Sequence, residues 1–429
     1  MANYNTRIFF SQKINALSTL KCESKKKPSE PPSPPPLGSA GSLGVPVNLL
    51  DPSMEDLPVP IMVDILSRLP VKTIIHCKCV CKKWMDLISD SYFANSHISR
   101  SSEIVMIHHK SNYEDKRAAG ILKWVEVEDE LDHHHLHNDP VMSLDLNLAP
   151  IFHCSDILPV GSVNGLVCLW QCVPQHENTY ICNPVTREYM ILPRPRFYKD
   201  NLAISIVYSF GFGSLTQEYK VIRIFHGAIP EDSTPPLEAE VYTLGTGRWR
   251  SVGPVSYSLI HKTYGPFLNG HAHWTVADHD SPERICAFDF HKETFELFPS
   301  PSPESEENFL SLGVINDCLC QSDTDHEYTF TVWVMKEYGI KKSWHKEFVI
   351  HQSISYHLDL LFLEPLYIIK GLKDGTILMA SYSDALFVYC PRRNVIVDPE
   401  TFACYFIGFA YRPSFHRLRN FENERVHVF

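Results

Sequence analysis

Residues with the means to do chemistry stand out at His133, His134, His135 and His137, in the stretch EVEDELDHHHLHNDP. Imidazoles bind zinc and copper, so a histidine cluster raises a metal hypothesis. Adjacent histidines in an acidic run form a solvated loop more readily than a cage, and no cysteine pair stands at finger spacing, so no metal is assigned. Cys77, Cys79 and Cys81 alternate, but residues two apart on a helix face different directions and do not grip one ion. Cys77 and Cys81 would share a helix face and pack as small apolar side chains, while Cys318 and Cys320 would point the same way from a strand into a sheet core. For nucleophilic or phosphate chemistry the chain lacks a G-x-S-x-G elbow, a metalloprotease helix and a phosphate loop. The GFG at residues 211–213 precedes a strand instead of opening a helix, which points to turn geometry. The expectation is no catalytic residue, no metal and no cofactor.

The elements that would position any site follow from bulk properties. At 429 residues and 44% hydrophobic composition the chain is long enough for one large folded body plus a small module. A net charge of -11, with both signs interspersed, gives none of the basic field that a phosphate backbone requires and argues against nucleic acid as partner. The 13 cysteines are odd in number and scattered, with no apolar signal core before them, so they are expected as reduced thiols in an intracellular protein of the nucleus and/or cytoplasm. No run of about 18 apolar residues occurs, so no membrane span is expected. The first 22 residues carry Arg7, Lys13 and Lys21 without an acid, a faint transit pattern that reads better as a solvated tail. SKKKPSEPPSPPPLGSAGSLG, at 24–44, cannot assemble a core, and residues 1–50 are expected as a disordered Pro/Ser-rich tail.

Residues 51–98 carry helical patterning. Ile61, Ile65 and Leu69 repeat at i, i+4, i+8 with Met62 and Leu66 beside them. Pro58 and Pro60 suit a first turn, and Leu69-Pro70 ends the helix because the residue before proline leaves helical dihedrals. Val71, Ile74 and Ile75 start a second helix, and Val80, Trp84, Leu87 and Ile88 mark a third. Three helices in about forty residues make a marginal domain, and their apolar surface exceeds what they could bury among themselves. Docking on another protein would stabilise the surplus face.

After residue 100 the texture is all-β: short runs of Val, Ile, Tyr, Phe and Trp punctuated by Gly, Asn, Asp and Pro. Asn164-Gly165, Asn269-Gly270, Asn316-Asp317 and Asp374-Gly375 each precede an apolar strand, and hairpins return through Tyr189, Trp249, Phe295 and Trp344. A repeat of roughly 45 to 60 residues built of several strands is the pattern of propeller blades, which bury each other's apolar faces. Six blades fit residues 101–415, although five or seven stay open. The last would combine residues 402–411 with early strands such as 104–107 and 121–127, and 416–429 are expected as a C-terminal tail. A propeller with 19 tyrosines and 22 histidines has copper ligands in number, as propeller oxidases use them, but abundance does not make a site.

The wording LPV-x7-LSRLPVKTIIHCKCVCKKWMDLISDSYF within residues 57–98 resembles the F-box, and plant members in particular. Leu57, Pro58, Ile61, Ile65, Leu66, Leu69, Pro70, Val71, Ile74, Val80, Cys81 and Trp84 fit the family's adaptor-contacting or motif-core positions. Pro60 stands where the family often has an acid, and His76-Cys77 replaces a common basic-aromatic pair; neither removes an apolar anchor. GSVNGLVCL, ICNPVTREYMILP, FGFGSLTQEYKVIRIF and VYTLGTGRWRSV resemble the kelch-like F-box-associated region of plant proteins. The resemblance implies a small helical F-box followed by an all-β propeller. It further implies a non-catalytic substrate receptor of an SCF-type ubiquitin ligase. The F-box would hold a Skp-type adaptor and, through it, cullin and RING subunits, while the propeller would bind a target protein that the sequence does not name. Lys78, Lys82 and Lys83 would form a basic rim toward an acidic adaptor or a solvated helix face. A scaffold outside any ligase and a propeller enzyme are the competing readings.

Overall fold

The computed structural model describes residues 57–109, 121–125, 142–145, 157–173, 176–195, 207–226, 237–259, 265–277, 283–301, 309–324, 329–350, 366–372, 374–381, 386–393, 395–397 and 406–429. The expected N-terminal tail and the histidine cluster at 133–137 lie outside them. The described strands form six antiparallel sheets. Blade 1 joins β24 (Phe406–Tyr411) to β1 (Ile104–His109), β2 (Ile121–Val125) and β3 (Met142–Asp145). Blade 2 runs β4 (Ile157–Val163), β5 (Leu166–Val173), β6 (His176–Asn183) and β7 (Glu188–Ile191), and blade 3 runs β8 (Val207–Gly213), β9 (Glu218–His226), β10 (Leu237–Thr243) and β11 (Trp249–Val255). Blade 4 holds β12 (Phe267–Leu268) to β15 (Thr294–Phe298), blade 5 holds β16 (Phe309–Ile315) to β19 (Trp344–Ile350), and blade 6 holds β20 (Leu366–Gly371) to β23 (Val395–Val397). The first strands lie side by side from blade to blade and return to β24, so six blades close a ring. The closing sheet pairs the chain's late strand with its early one in the register Ile104↔Tyr411 to His109↔Phe406, as the sequence pattern expects.

Turn chemistry sets the blades' strand pairing. Asn164-Gly165, Asn269-Gly270 and Asn316-Asp317 have positive φ at both positions, and each joins two strands through a two-residue loop: Val163↔Leu166, Leu268↔His271 and Ile315↔Cys318. Such mirror-image turns match the twist of the flanking strands, which is why these dipeptides mark the first hairpin of their blades. Asp374-Gly375 sits in a longer connection between Gly371 and Ile377.

The apolar cores lie between blades. Val160, Ile181 and Met190 of blade 2 pack with Phe210, Tyr242 and Trp249 of blade 3, and equivalent clusters join blades 3 and 4, 4 and 5, 5 and 6, and 6 and 1. Cys320 is fully buried in the cluster of blades 5 and 6 with Cys318 against it, the core role expected of that pair. Polar contacts repeat the same logic. Trp249 Nε1 donates to the Pro193 carbonyl of the preceding blade at 2.6 Å, and Trp344 Nε1 to Pro299 at 3.1 Å. The buried Lys220 ammonium donates to the Phe290 carbonyl at 3.1 Å and pairs with Glu293 at 2.9 Å across blades 3 and 4. The GFG glycines contradict the turn reading: neither has positive φ, and both lie within strand β8, Gly213 as its last residue. Gly211 is glycine because a Cβ there would meet the Phe290 ring of the next blade at 2.3 Å.

Before the ring come four short helices, α1 (Val59–Leu66), α2 (Val71–Cys77), α3 (Lys82–Ile88) and α4 (Ser91–Ile98). The sequence reading recovers the first three and misses α4, whose start is capped by Asp90 accepting from Tyr92 N at 2.8 Å. Cys77 ends α2, Cys79 lies in the turn and Cys81 caps α3. They do not share one helix face, and burial raises the Cys77 thiol above its usual range. Residues 416–429 are no trailing tail: Leu418 is fully buried in the cluster of blades 2 and 3, and β25 (Val426–Val428) adds a fifth strand to blade 2 through β7.

Two expectations follow from these contacts. Gly211→Ala overpacks the blade 3 to blade 4 seam and should lower stability by about 1–3 kcal/mol in chemical denaturation. His273 is buried, its Nδ1 facing the Pro266 carbonyl at 3.2 Å and its Nε2 the Tyr338 hydroxyl at 2.8 Å across blades 4 and 5. A carbonyl only accepts, so Nδ1 carries the proton and Nε2 accepts from Tyr338. Burial lowers His273 to about 3 and His97 of α4 to about 4. Both folded values lie below the unfolded value near 6.5. Their stabilisation is therefore complete above about pH 6.5 and lost as pH falls through that window. The melting temperature should drop between pH 6.5 and 4, less steeply in His273→Gln, which keeps a neutral donor and acceptor.

Candidate functional site

The twelve helical-module positions separate into two sets. Leu66 and Ile74 are fully buried and Val71 is nearly so; these hold the helices together. Leu57, Leu69, Cys81 and Trp84 are half-buried, and Pro58 and Pro70 are the exposed N-caps of α1 and α2. Ile61 is 48% exposed, Ile65 36% and Val80 62%. On α1 two apolar stripes run in parallel: Met62, Val63 and Leu66 face inward, while Ile61 and Ile65, one turn apart, face solvent. Val59 on α1, Met85 on α3 and Tyr92 on α4 extend the exposed apolar surface, and sequence reasoning left them out because only their surroundings distinguish them from core. Each such side chain contributes about 1.5–3 kcal/mol when fully buried against a partner. Trp84 Nε1 is buried and finds no acceptor among the described residues.

Charge fixes the helices to one another. Asp64 near the end of α1 takes Arg68 at 3.0 Å and Arg100, just past α4, at 2.7 Å. The hydrogen bonds from Arg68, joined by Arg100, hold its carboxyl below the usual carboxylate range. Lys78, the C-cap of α2, is half-buried; burial lowers its ammonium, Arg417 adds to the effect and Glu188 of blade 2 opposes it. Lys82 and Lys83 remain exposed.

The ring has two unlike faces. In each antiparallel blade the first-to-second and third-to-fourth connections emerge at one end, the others at the opposite end. Tight turns such as 164–165, 269–270 and 316–317 occupy the first end, where the helices enter at Ile104 and the chain leaves at Tyr411. The strand ends at the opposite face are joined by residues 227–236, 256–266, 299–308 and 351–365, and residues 126–141 join β2 to β3 on the side of the helices. Along the axis a cavity of about 460 Å³ is lined by the first strands of the six blades, including Ser162, Phe210, Phe267, Ser311, Tyr367 and Phe409. Among the described residues no three histidine, cysteine, aspartate or glutamate side chains gather as a metal site.

Substitutions separate the two sets of helical residues. Leu66→Ala and Ile74→Ala should each cost about 2–5 kcal/mol of local stability, read by hydrogen exchange of residues 57–98. Ile61→Ser and Ile65→Ser should change it by less than about 0.5 kcal/mol.

Comparison with known proteins agrees with this division. A family model described as F-box-like matches residues 54–97, and one described as the F-box associated beta propeller domain matches residues 103–408. The F-box protein At3g07870 of Arabidopsis thaliana is 25% identical over 402 residues, covering 87% of this chain and 91% of its own length. The F-box/kelch-repeat protein At3g23880 is 26% identical over 350 residues, covering 79% and 88%, and the F-box protein CPR1 is 26% identical over 348, covering 72% and 78%, both from the same plant. Proteins of this kind are generally non-catalytic subunits. With its helical module and six-bladed ring both matched in order, the chain belongs to the F-box proteins that carry an F-box-associated β-propeller.

Proposed function

We propose that this protein is the substrate-recognition subunit of an SCF-type E3 ubiquitin ligase, acting in the nucleus and/or cytoplasm. The observation that carries this reading is the outward stripe of Ile61 and Ile65 on α1, within the segment matched to the F-box, left exposed beside a fully buried one. Apolar surface at this spacing is what a helix presents to a partner's groove. The Skp-type adaptor docks there through Leu57, Pro58, Ile61, Ile65, Leu69, Pro70, Val80, Cys81 and Trp84. Leu66, Val71 and Ile74 hold that surface in shape from beneath. Cullin and RING subunits join through the adaptor, and a target protein binds the propeller face opposite the helices, which the helical module leaves uncovered.

The chain itself performs no chemistry in this reading. Its contribution is proximity: target lysines are held near a charged ubiquitin carrier, which turns a bimolecular encounter into an effectively intramolecular one.

The test is co-purification of the full chain with a Skp-type adaptor, comparing wild type with Ile61→Asp plus Ile65→Asp. Retention should fall by at least about tenfold, the minimum expected from losing roughly 1.4 kcal/mol, while the melting temperature is unchanged. Unaltered adaptor retention in the folded double variant would overturn the docking surface. A captured target whose half-life ignores both proteasome inhibition and the double variant would instead favour a scaffold outside the ligase.

A further inference from the structure

The chain's last residues lie beyond the stretch matched by the propeller family model, which ends at residue 408, yet Tyr411, Pro413, Ser414, Phe415 and Leu418 are buried. Tyr411 donates its hydroxyl to the Gly165 carbonyl at 3.3 Å. Ser414, fully buried, then seats on Gly165, where a Cβ would lie 2.1 Å from the Ser414 Cβ and where φ is +81°. Glycine is required there twice over, for space and for backbone conformation. The fully buried Asn183 donates from Nδ2 to the carbonyls of Ser414 at 3.0 Å and His416 at 2.7 Å. Leu418 N donates to the Glu188 carboxylate at 2.8 Å. Farther on, Phe421 meets the edge of Tyr219, and Glu424 accepts from the Tyr242 hydroxyl at 2.5 Å and Gly245 N at 2.9 Å. The segment is thus riveted across blades 2 and 3 before β25 pairs with β7.

Between these rivets two side chains meet the helices. The Phe415 ring stands edge-on to Phe93 at 5.7 Å and to His97 at 5.0 Å, and both α4 rings are buried. Aromatic pairs of this geometry are favourable beyond their buried area. Arg417 donates from Nη2 to Ser89 Oγ at 3.1 Å, at the end of α3. The tether between α4 and β1 is drawn to the same place: Glu103 pairs with Arg412 at 3.3 Å, and its carbonyl accepts from Lys370 of blade 6 at 2.6 Å.

We propose that residues 412–429 form a strap that fixes the adaptor-docking helices on the propeller, with Phe415 and Arg417 as the positioning residues. A short tether alone would leave α1–α4 free to swing. The strap converts that joint into a rigid shoulder, because Phe415 covers two α4 rings that would otherwise face water while its own backbone is pinned through Asn183. The functional consequence rests on the receptor reading above: adaptor and target are then presented at one separation and orientation, so that ubiquitin reaches a restricted set of target lysines.

The experiment measures the joint directly. Donor and acceptor fluorophores are installed through non-natural residues at Lys72 on α2 and Lys342 in blade 5, both exposed, in the full chain, and single-molecule energy transfer gives the distance distribution. Wild type should show one narrow population. Phe415→Ala with Arg417→Ala should broaden it, with propeller melting and adaptor affinity unchanged, and Phe415→Leu should restore most of the narrowness as a purely structural lesion elsewhere would not. Ser89→Ala with His97→Ala removes the same contacts from the helix side and serves if the first pair perturbs the propeller; it should broaden the distribution as well. A narrow distribution in a folded variant of either pair would overturn the strap. Absence of adaptor binding by wild type would sink the receptor reading alone, leaving the distance result to decide the strap.

Discussion

Ring closure is the constraint on which the rest of this structure depends. Among the described residues the clusters of buried apolar side chains in the propeller lie between neighbouring blades, so a blade in isolation would expose both faces of its sheet. An open ring would leave two such faces in water. The chain closes it by pairing β24 with β1, residues some three hundred positions apart in sequence, through six consecutive partners. This non-local pairing carries a loop-closure cost that only the completed set of seams repays.

Closure also determines where function can lie. Because β1 and β24 are antiparallel, the start of one and the end of the other emerge together, so the helices and the C-terminal segment share a face with the tight turns. The strand ends joined by residues 227–236, 256–266, 299–308 and 351–365 lie on the other face, while residues 126–141 join β2 to β3 on the helix side. One face thus carries the helices and their bracing, and the proposed target site lies on the other. The helical module repeats the division on a smaller scale: Met62 and Leu66 build its core while Ile61 and Ile65, one position before each, are kept in water. A soluble monomer gains nothing from that second stripe, which is why it points to a partner.

Much of this was legible locally. An Asn-Gly pair forces positive φ at two adjacent residues wherever it sits in a hairpin, so the blades' first hairpins at Asn164 and Asn269 can be read without knowing the fold. The return strands through Trp249 and Trp344 and the closing pair of β24 with β1 followed from spacing. Features that depend on distant neighbours did not. Gly211 looks like a turn glycine until Phe290 is placed beside it. The inward stripe of α1 cannot be chosen from sequence when both stripes are apolar. Helix α4 has little amphipathic pattern in SYFANSHI and is recognisable chiefly by its Asp90 cap. The strap RPSFHRLRNFENERVHVF reads as a polar tail, because Phe415 on α4 and Leu418 and Phe421 on the cluster of blades 2 and 3 are single anchors with no period to announce them.

The central claim is a receptor with its adaptor surface on the helices and its opposite propeller face left for a target. Hydrogen–deuterium exchange of the full chain with and without a Skp-type adaptor tests it most directly. The account expects slowed exchange confined to residues 57–88, with the strap already protected in the free protein and the strand ends of the opposite face unchanged. Protection that spreads over those strand ends while leaving α1 untouched would contradict it.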